Sequence, residues 1–517
     1  MWIYPFDSSS ESSSDSFDED FFDHYDKDEY YSDSEDDGVT SLEKLKSLRE
    51  LPRGNEEERH EFLSRFHRRV CHWKGELPNL KDIFQPEVME CLLLDVVNYI
   101  AKCRDRVAEQ IIKFVVKTGY RDEFNAEKDG GGEPSSSSLR TTPIHHAARR
   151  KLYWIISDLF KIYDRFDANY TDESGLSHFH VACGQYGCDD VVEKFLELGQ
   201  VDPNFLVPET DDSPLHLAVG DKKTTELLLK NGANPNLINK DGLTPLLIIC
   251  QKKVCWHDNQ YADLAEMFLK ISEEKNQAVQ VDAKDKKLGL TSLQWAVVNI
   301  SPKMIDVLLD HGADLSSFVF PTETRFSDAL KSKTDMEDVE LDEEAEFEKS
   351  MSSAVEIMSG LLTVAERLEI RGYELSRDDA LTIMQVLYKN EFSWTSEQLW
   401  YDNYDFAAKA KKIMIIEDDP SLSLYDLVQL RPEEAAKRVT FRDYHALPEE
   451  FEYLPEWSRR HCASRLCEMM SRGFYRRWAL DSLLKLAGHR LPILCCEMII
   501  EPLMNDDLLC IFFAAKG

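Results

Sequence analysis

The chain has 517 residues and a formal net charge of -35 at pH 7, and 43% of its residues are hydrophobic. A chain of this length can form two or three domains with buried cores. Its negative charge argues against nucleic acid and anionic membranes as main partners, because both require a basic face.

The first residues, Met1–Phe6, lack the basic region and the long apolar region of a signal peptide. No run approaches 18 uncharged apolar residues, so we also expect no membrane span. Three of the cysteine pairs share a C-x4-C spacing, whereas zinc sites favour shorter loops and paired knuckles. We therefore expect reduced structural thiols and a cytoplasmic or nuclear location.

Residues 1–40 alternate serine with aspartate and glutamate, a composition that predicts a disordered tail because it cannot form a core. Aromatic residues such as Phe21 and Tyr25 lie within the acidic sequence. Two interpretations stay open for this tail: a solubilising segment, or a short acidic-aromatic docking motif. Residues 41–87 then predict a charged lead-in of helix and loop.

A short phrase recurs from Thr142 to about Phe320, the stretch around which the chain is organised. Its copies are Thr142–Ala148, Gly175–Ala182, Asp212–Ala218, Gly242–Leu247 and Gly289–Ala296. The hydroxyl of its Thr or Ser can cap a helix, and proline fits the first helical turn because its missing N–H would be unpaired there. Apolar helical runs separate the copies, and several end in Gly-Ala followed by Asp or Asn.

This phrase resembles the ankyrin repeat, whose period is about 33 residues. The resemblance implies a solenoid of paired helices over residues 88–320, with a degenerate cap at 88–118 and about five repeats. It also implies that the histidine of each phrase is bonded within its turn. Asp211 stands where a turn glycine is expected, so a left-handed backbone is predicted there.

Ankyrin stacks commonly bind a target protein through the concave face, which is lined by the tips of the connecting hairpins. We expect a monomer that binds its target in this way. The candidate target-binding residues at the tips are Asp172, Glu173, Glu209, Thr210, Asn239, Lys240, Asp241, Lys286 and Lys287.

Residues 321–350 form an acidic break that predicts a linker, and residues 351–517 show helical periodicity. No five-residue alternating strand pattern occurs, so the predicted fold class is all-α: an ankyrin solenoid followed by a helical C-terminal domain.

The last stretch, within residues 420–517, resembles the F-box in its spacing of Leu-Pro, apolar residues and Asp-Leu. The matching residues are Leu491, Pro492, Ile499, Leu503, Asp507 and Leu508. An F-box binds the helical Skp adaptor of a cullin ubiquitin ligase, so the resemblance implies a helix-in-groove partner site.

Ankyrin repeats with this ending resemble the PRANC proteins, most closely those of parasitoid wasps, and the resemblance implies a ubiquitin ligase adaptor. Two positions depart from the F-box pattern. Leu494 stands where glutamate is usual. Pro502 is expected inside a helix, where proline costs about 3 kcal/mol or forces a kink.

The alternative is a stand-alone ankyrin scaffold, similar to the inhibitors of Rel-type transcription factors, with a purely structural C-terminal domain. The first hypothesis requires the apolar F-box-like residues to be available to a partner, and the alternative does not. No P-loop, Gly-x-Ser-x-Gly, His-Glu-x-x-His or kinase signature occurs, so we expect no catalytic residue, cofactor or metal.

Overall fold

The computed structural model describes residues 41–48, 56–71, 73, 75–103, 107–123, 139–252, 259–334, 343–390, 400–416 and 419–515. The predicted disordered tail, residues 1–40, lies outside the described residues. Two compact units divide the chain, Met1–Glu209 and Thr210–Gly517.

The first unit is helical over its described residues. Its elements are α1 (Ser41–Lys46), α2 (Glu56–Val70), a 3-10 turn (Leu80–Asp82), α3 (Pro86–Cys103), α4 (Val107–Lys117), α5 (Pro143–Arg149), α6 (Tyr153–Ile162), α7 (His178–Cys183) and α8 (Asp189–Glu197).

The predicted cap is the helix pair α3 and α4, which packs against the first repeat: α3 lies on α5, and α4 on α6. The charged lead-in also joins this core. Helix α2 packs on α4 and buries Phe62, Leu63 and Phe66. An end of a solenoid must present a face that is compatible with water, and the charged outer side of α2 provides one.

The second unit begins with three repeats. Their helices are α9 (Pro214–Ala218), α10 (Lys222–Lys230), α11 (Pro245–Gln251), α12 (Gln260–Glu274), α13 (Ser292–Val298) and α14 (Pro302–Asp310). The short first helices α9, α11 and α13 pack side by side in that order. Asp211 has φ 58°, the left-handed backbone expected at its position.

The rest of the second unit follows the repeats. Its elements are α15 (Glu323–Thr334), α16 (Glu343–Ile370), α17 (Arg377–Asn390), a 3-10 turn (Trp400–Asp402), α18 (Tyr404–Ala410), β1 (Met414–Ile416), β2 (Asp419–Ser423), α19 (Leu424–Gln429), α20 (Pro432–Ala435), α21 (Phe441–Ala446), a 3-10 turn (Leu447–Tyr453), α22 (Glu456–Leu486), α23 (Ile493–Ile500) and α24 (Asn505–Ala514).

One expectation for this region needs correction, while the mostly helical fold agrees with the all-α prediction. The acidic break at 321–350 contains α15, whose Phe326 is fully buried, so part of it belongs to the folded core. The strands β1 and β2 form an antiparallel pair with Met414 opposite Ser423. β1 has only three residues, and β2 reads Asp-Pro-Ser-Leu-Ser, so neither strand shows a five-residue alternation of apolar and polar residues.

Candidate protein-interaction surfaces

The recurring phrase builds the third and fifth repeats by the same pair of hydrogen bonds. In the third repeat the Nδ1 of His216 accepts a hydrogen bond from the backbone N–H of Ser213 at 3.1 Å. Its Nε2 therefore carries the proton, and it donates to the carbonyl of Leu243 in the next hairpin at 3.0 Å. In the fifth repeat Gln294 makes the same two contacts, with Thr291 and Val319. In both repeats the side chain at this position therefore bonds to the backbone of the segment that follows the repeat.

Burial lowers the pKa of His216, and it lowers the pKa of His145 to about 4. Both histidines are therefore neutral at pH 7. The histidines of the phrase are structural, as the repeat pattern predicts.

Two predicted tip residues serve the fold and not the surface, which corrects the sequence prediction. Asp172 is buried, and its Oδ1 accepts hydrogen bonds from the backbone N–H groups of Ser174 and Leu176. Asn239 is also buried; it accepts from the backbone N–H of Leu243 and donates to Asp212. These side chains close the hairpins, so they are not available to a target.

The other predicted tip residues are accessible, and their charge differs between the units. In the first unit Glu173 and Glu209 are exposed and acidic. The exposed tips of the second unit are mainly basic: Lys240, Asp241, Lys286 and Lys287. Thr210 is half-buried, and its carbonyl accepts from the backbone N–H of Lys240.

A half-exposed apolar stripe runs beside the basic tips of the second unit, and the sequence prediction missed it. It consists of Leu217, Ile248 and Trp295, the fourth residue of α9, α11 and α13. Because the position is equivalent in three helices packed side by side, the three side chains lie on one face. The detectable signal was an apolar residue directly after the histidine position of the phrase.

A buried ionic cluster in the first unit was also missed. Arg140 donates two hydrogen bonds to Asp122, at 2.7 and 3.1 Å, and a third to Glu90. Its guanidinium lies 4.8 Å from the ring centre of Tyr170. Burial alone would lower the pKa of Arg140, but the hydrogen bonds to both carboxylates raise it. The cluster connects the cap to the first repeats.

The F-box-like end is divided between exposed and buried residues. Leu491, Pro492 and Ile499 are exposed, and Leu503 is half-buried. Leu508 is fully buried, which corrects the expectation that it is available to a partner.

Helix α23 is held by one narrow stripe. Only Cys496 and Ile500, one helical turn apart, are buried among its residues. Its remaining apolar side chains face solvent, with Leu494 exposed at 67% and Met498 at 72%. Exposed apolar residues that cluster in this way are typical of an interaction site.

The turn after α23 removes the expected conflict at Pro502. The helix ends at Ile500 and α24 begins at Asn505, so the proline lies between helices and breaks no helical hydrogen bond. Asp507 accepts a hydrogen bond from the backbone N–H of Met504, which caps α24. Arg472 of α22 donates to the carbonyl of Glu501 at 2.7 Å and fixes the turn.

The described cysteines are free thiols. Both members of the pairs Cys183/Cys188 and Cys462/Cys467 are buried, and burial raises the pKa of the Cys250 thiol to about 12. Buried thiols of this kind are unreactive, which agrees with a structural role. Cys255, the partner of Cys250 in the spacing pattern, lies outside the described residues.

Within the ranges given above, no group of three or more His, Cys, Asp or Glu side chains is arranged to hold a metal ion. Among the described helices, none combines the length and apolarity needed to cross a membrane.

Comparison with known proteins identifies the repeats. The family model described as ankyrin repeats (three copies) matches residues 144–239 and 215–318. Among solved structures, the ankyrin repeat domain of Bcl-3, described as a unique member of the IkappaB protein family, is 19% identical; the match covers 46% of this chain and 97% of that chain, with a TM-score of 0.26. An ankyrin repeat domain from Acinetobacter baumannii AYE is 20% identical, with coverages of 42% and 98% and a TM-score of 0.29. No curated protein matches the chain. Residues 144–318 are therefore ankyrin repeats, and no catalytic family is indicated.

Proposed function

We propose that this protein is a non-catalytic adaptor that recruits a cullin ubiquitin ligase to a target protein in the cytoplasm or nucleus. Its ankyrin repeats are a scaffold for protein–protein interaction. In the proposal they bind the target, while the C-terminal helices bind a Skp-type adaptor, as the resemblance to PRANC proteins implies.

The exposure of α23 is the observation that carries the proposal. A helix that buries only Cys496 and Ile500 leaves Leu494, Met498 and Ile499 free to enter the groove of a partner. Full burial of a side chain of this size stabilises a complex by about 1.5–3 kcal/mol. Leu491 and Pro492 precede the helix and are exposed on the same segment, as an F-box-like contact requires.

One observation favours the alternative, a stand-alone ankyrin scaffold. Leu508, Leu509 and Phe512 are buried, and α24 packs extensively on α22. Half of the F-box-like pattern thus stabilises its own domain. In the adaptor proposal the Skp protein contacts α23 and the Leu491-Pro492 segment alone, while α24 acts as their support.

Calorimetry with purified Skp adaptor separates the two functions. We expect the full chain to bind, and the variant Met498→Glu/Ile499→Glu to lose at least about 100-fold in affinity, because two anchors worth about 3 kcal/mol together are removed. The matched control is Ile370→Glu, since Ile370 is also apolar, is 67% exposed and lies at the end of α16 in the same unit. No binding by the folded full chain, or equal losses in both variants, would exclude ligase recruitment through α23.

A further inference from the structure

The repeats of the second unit leave apolar side chains partly open to solvent. Leu217, Ile248 and Trp295 form the half-exposed stripe described above. Val319 adds to it, since Val319 is 67% exposed and its carbonyl accepts a hydrogen bond from the side chain of Gln294, the residue before Trp295. Apolar surface that recurs from repeat to repeat in this way is typical of an interaction site.

A basic hairpin, residues 284–290, adjoins this stripe. It exposes three lysines within four positions, Lys284, Lys286 and Lys287. The carboxylate of the hairpin, that of Asp285, is buried and accepts a hydrogen bond from the indole N–H of Trp295 at 3.0 Å. This bond places the lysines beside the apolar side chains, and we call the stripe and the hairpin together the repeat surface.

The hairpin is held in place by its own bonds. The carboxylate of Asp285 also accepts from the backbone N–H groups of Leu288 and Leu290. The side chain of Lys286 lies against Gly242 of the preceding hairpin, where a Cβ atom would overlap it. A ligand therefore meets these lysines on an ordered base, so less conformational entropy is lost on binding than with a flexible loop.

The three lysines carry positive charge that the fold does not neutralise. None of them forms an ion pair with a carboxylate in the part of the chain that the structure describes. Elsewhere in the same unit the exposed lysines Lys230 and Lys270 each pair with a glutamate one helical turn away. The chain has enough carboxylates to pair every lysine, so the charge of this hairpin is left for a ligand.

Neighbouring charges do not cancel this excess. The adjacent tip adds one lysine and one aspartate, Lys240 and Asp241, whose charges balance. At an ionic strength of about 0.15 M the Debye length is about 8 Å, so the more distant carboxylates of the chain are largely screened. The lysines therefore dominate the electrostatic field at the repeat surface.

We propose that the repeat surface binds an acidic segment of a target protein, in which aspartate or glutamate residues flank large apolar side chains. The carboxylates pair with the lysines of the hairpin, and the apolar side chains pack on the stripe. Charge complementarity favours such a segment over a basic one. Only the target-binding half of the proposed function is needed here, because no residue of α23 takes part.

Fluorescence polarisation with the full chain tests this partner chemistry. The probe is a short labelled peptide in which aspartates flank a central Trp-Leu pair, at an ionic strength of about 0.15 M. We expect the variant Lys284→Glu/Lys286→Glu/Lys287→Glu to bind the probe at least about tenfold more weakly than the native chain, because three attractive contacts become repulsive.

A matched variant with the same net charge is the control. It is Lys409→Glu/Lys412→Glu/Lys437→Glu, at exposed lysines elsewhere in the same unit, and it should bind the probe nearly as well as the native chain. A probe with Gly-Ser in place of Trp-Leu should bind the native chain at least about tenfold more weakly, because the stripe loses its apolar partner. Equal affinity of the two lysine variants, or of the two probes, would overturn the proposal.

Two other occupants are outcomes of the same test. Tighter binding of a single-stranded DNA oligonucleotide with the net charge of the probe would overturn the proposal in favour of nucleic acid. A dimer in sedimentation that the variant at Lys284, Lys286 and Lys287 dissociates and the control does not would overturn it in favour of a second copy. Skp binding is measured on the same samples: a chain that binds Skp but not the probe refutes this inference alone, and the reverse result refutes ligase recruitment alone.

Discussion

The replacement Arg140→Met examines the buried ionic cluster of the first unit. The side chain of Arg140 is 11% exposed and that of its main partner Asp122 only 6%. Methionine keeps the apolar stem but removes the charge, so Asp122 and Glu90 are left facing each other without a cation. Breaking a buried ion pair from one side costs about 3–5 kcal/mol, because the remaining charge is buried and unpaired.

The free energy of unfolding of a typical domain is about 5–15 kcal/mol, so a loss of this size is a large part of it. Because the chain has two compact units, a single unfolding midpoint would not isolate the effect. Amide hydrogen exchange resolved by segment does isolate it. We expect faster exchange in α4 and α5, and unchanged exchange in α22.

The double variant Arg140→Met/Asp122→Asn should recover part of the loss, since it removes the uncompensated carboxylate of Asp122. As a control, Lys102→Met removes an exposed ion pair with Glu56 and should leave exchange unchanged. If Arg140→Met lowered the stability of α4 no more than this control, the argument from burial would be wrong.

Three further predictions concern the repeats and the last helix. His216→Gln should reproduce the contacts of Gln294 and leave the free energy of unfolding at pH 7.5 nearly unchanged. On acidification the variant should lose less stability than the native protein, by up to about 1.4 kcal/mol per pH unit. The native pKa of His216 is lowered, so the unfolded chain binds more protons below about pH 6.5 and stability falls as pH decreases; an unchanged slope in urea titrations between pH 7.5 and 4.5 would contradict this. Gly242→Ala should lower the stability more than Gly289→Ala does. Both glycines have positive φ, 76° and 69°, but only Gly242 lies against a lysine side chain, that of Lys286. Thermal unfolding of the two variants compares their stability. Leu508→Ala should lower the free energy of unfolding by about 2–5 kcal/mol, because it leaves a cavity where a fully buried side chain packs. Amide hydrogens of α24 should then exchange faster, and unchanged exchange there would show that Leu508 does not anchor the helix.

The repeats could be predicted from sequence because their determinants are local. The bond from Ser213 to His216 spans three residues, and the left-handed backbone at Asp211 follows from its place in one turn. The regular position of these residues in each copy therefore carries the structural information. The F-box-like resemblance also rests on spacing alone, and it stays a prediction.

Contacts distant in sequence explain what was missed. Arg140 meets Glu90, which lies 50 residues earlier, and no local pattern in the sequence relates the two. Composition was also misleading where burial decided the structure. Asp172 looks like a solvated turn residue, yet its carboxylate closes the hairpin, and Leu508 fits a partner motif, yet it packs inside its own domain.

The attachment of α23 has a consequence for how this protein can change over generations. The fold depends on two residues of that helix, Cys496 and Ile500, and on the turn that Arg472 holds. The outward residues are exposed, so substitutions there carry little folding cost. If α23 binds a partner as proposed, selection can modify partner preference at this helix faster than at positions where one residue serves both the fold and the contact.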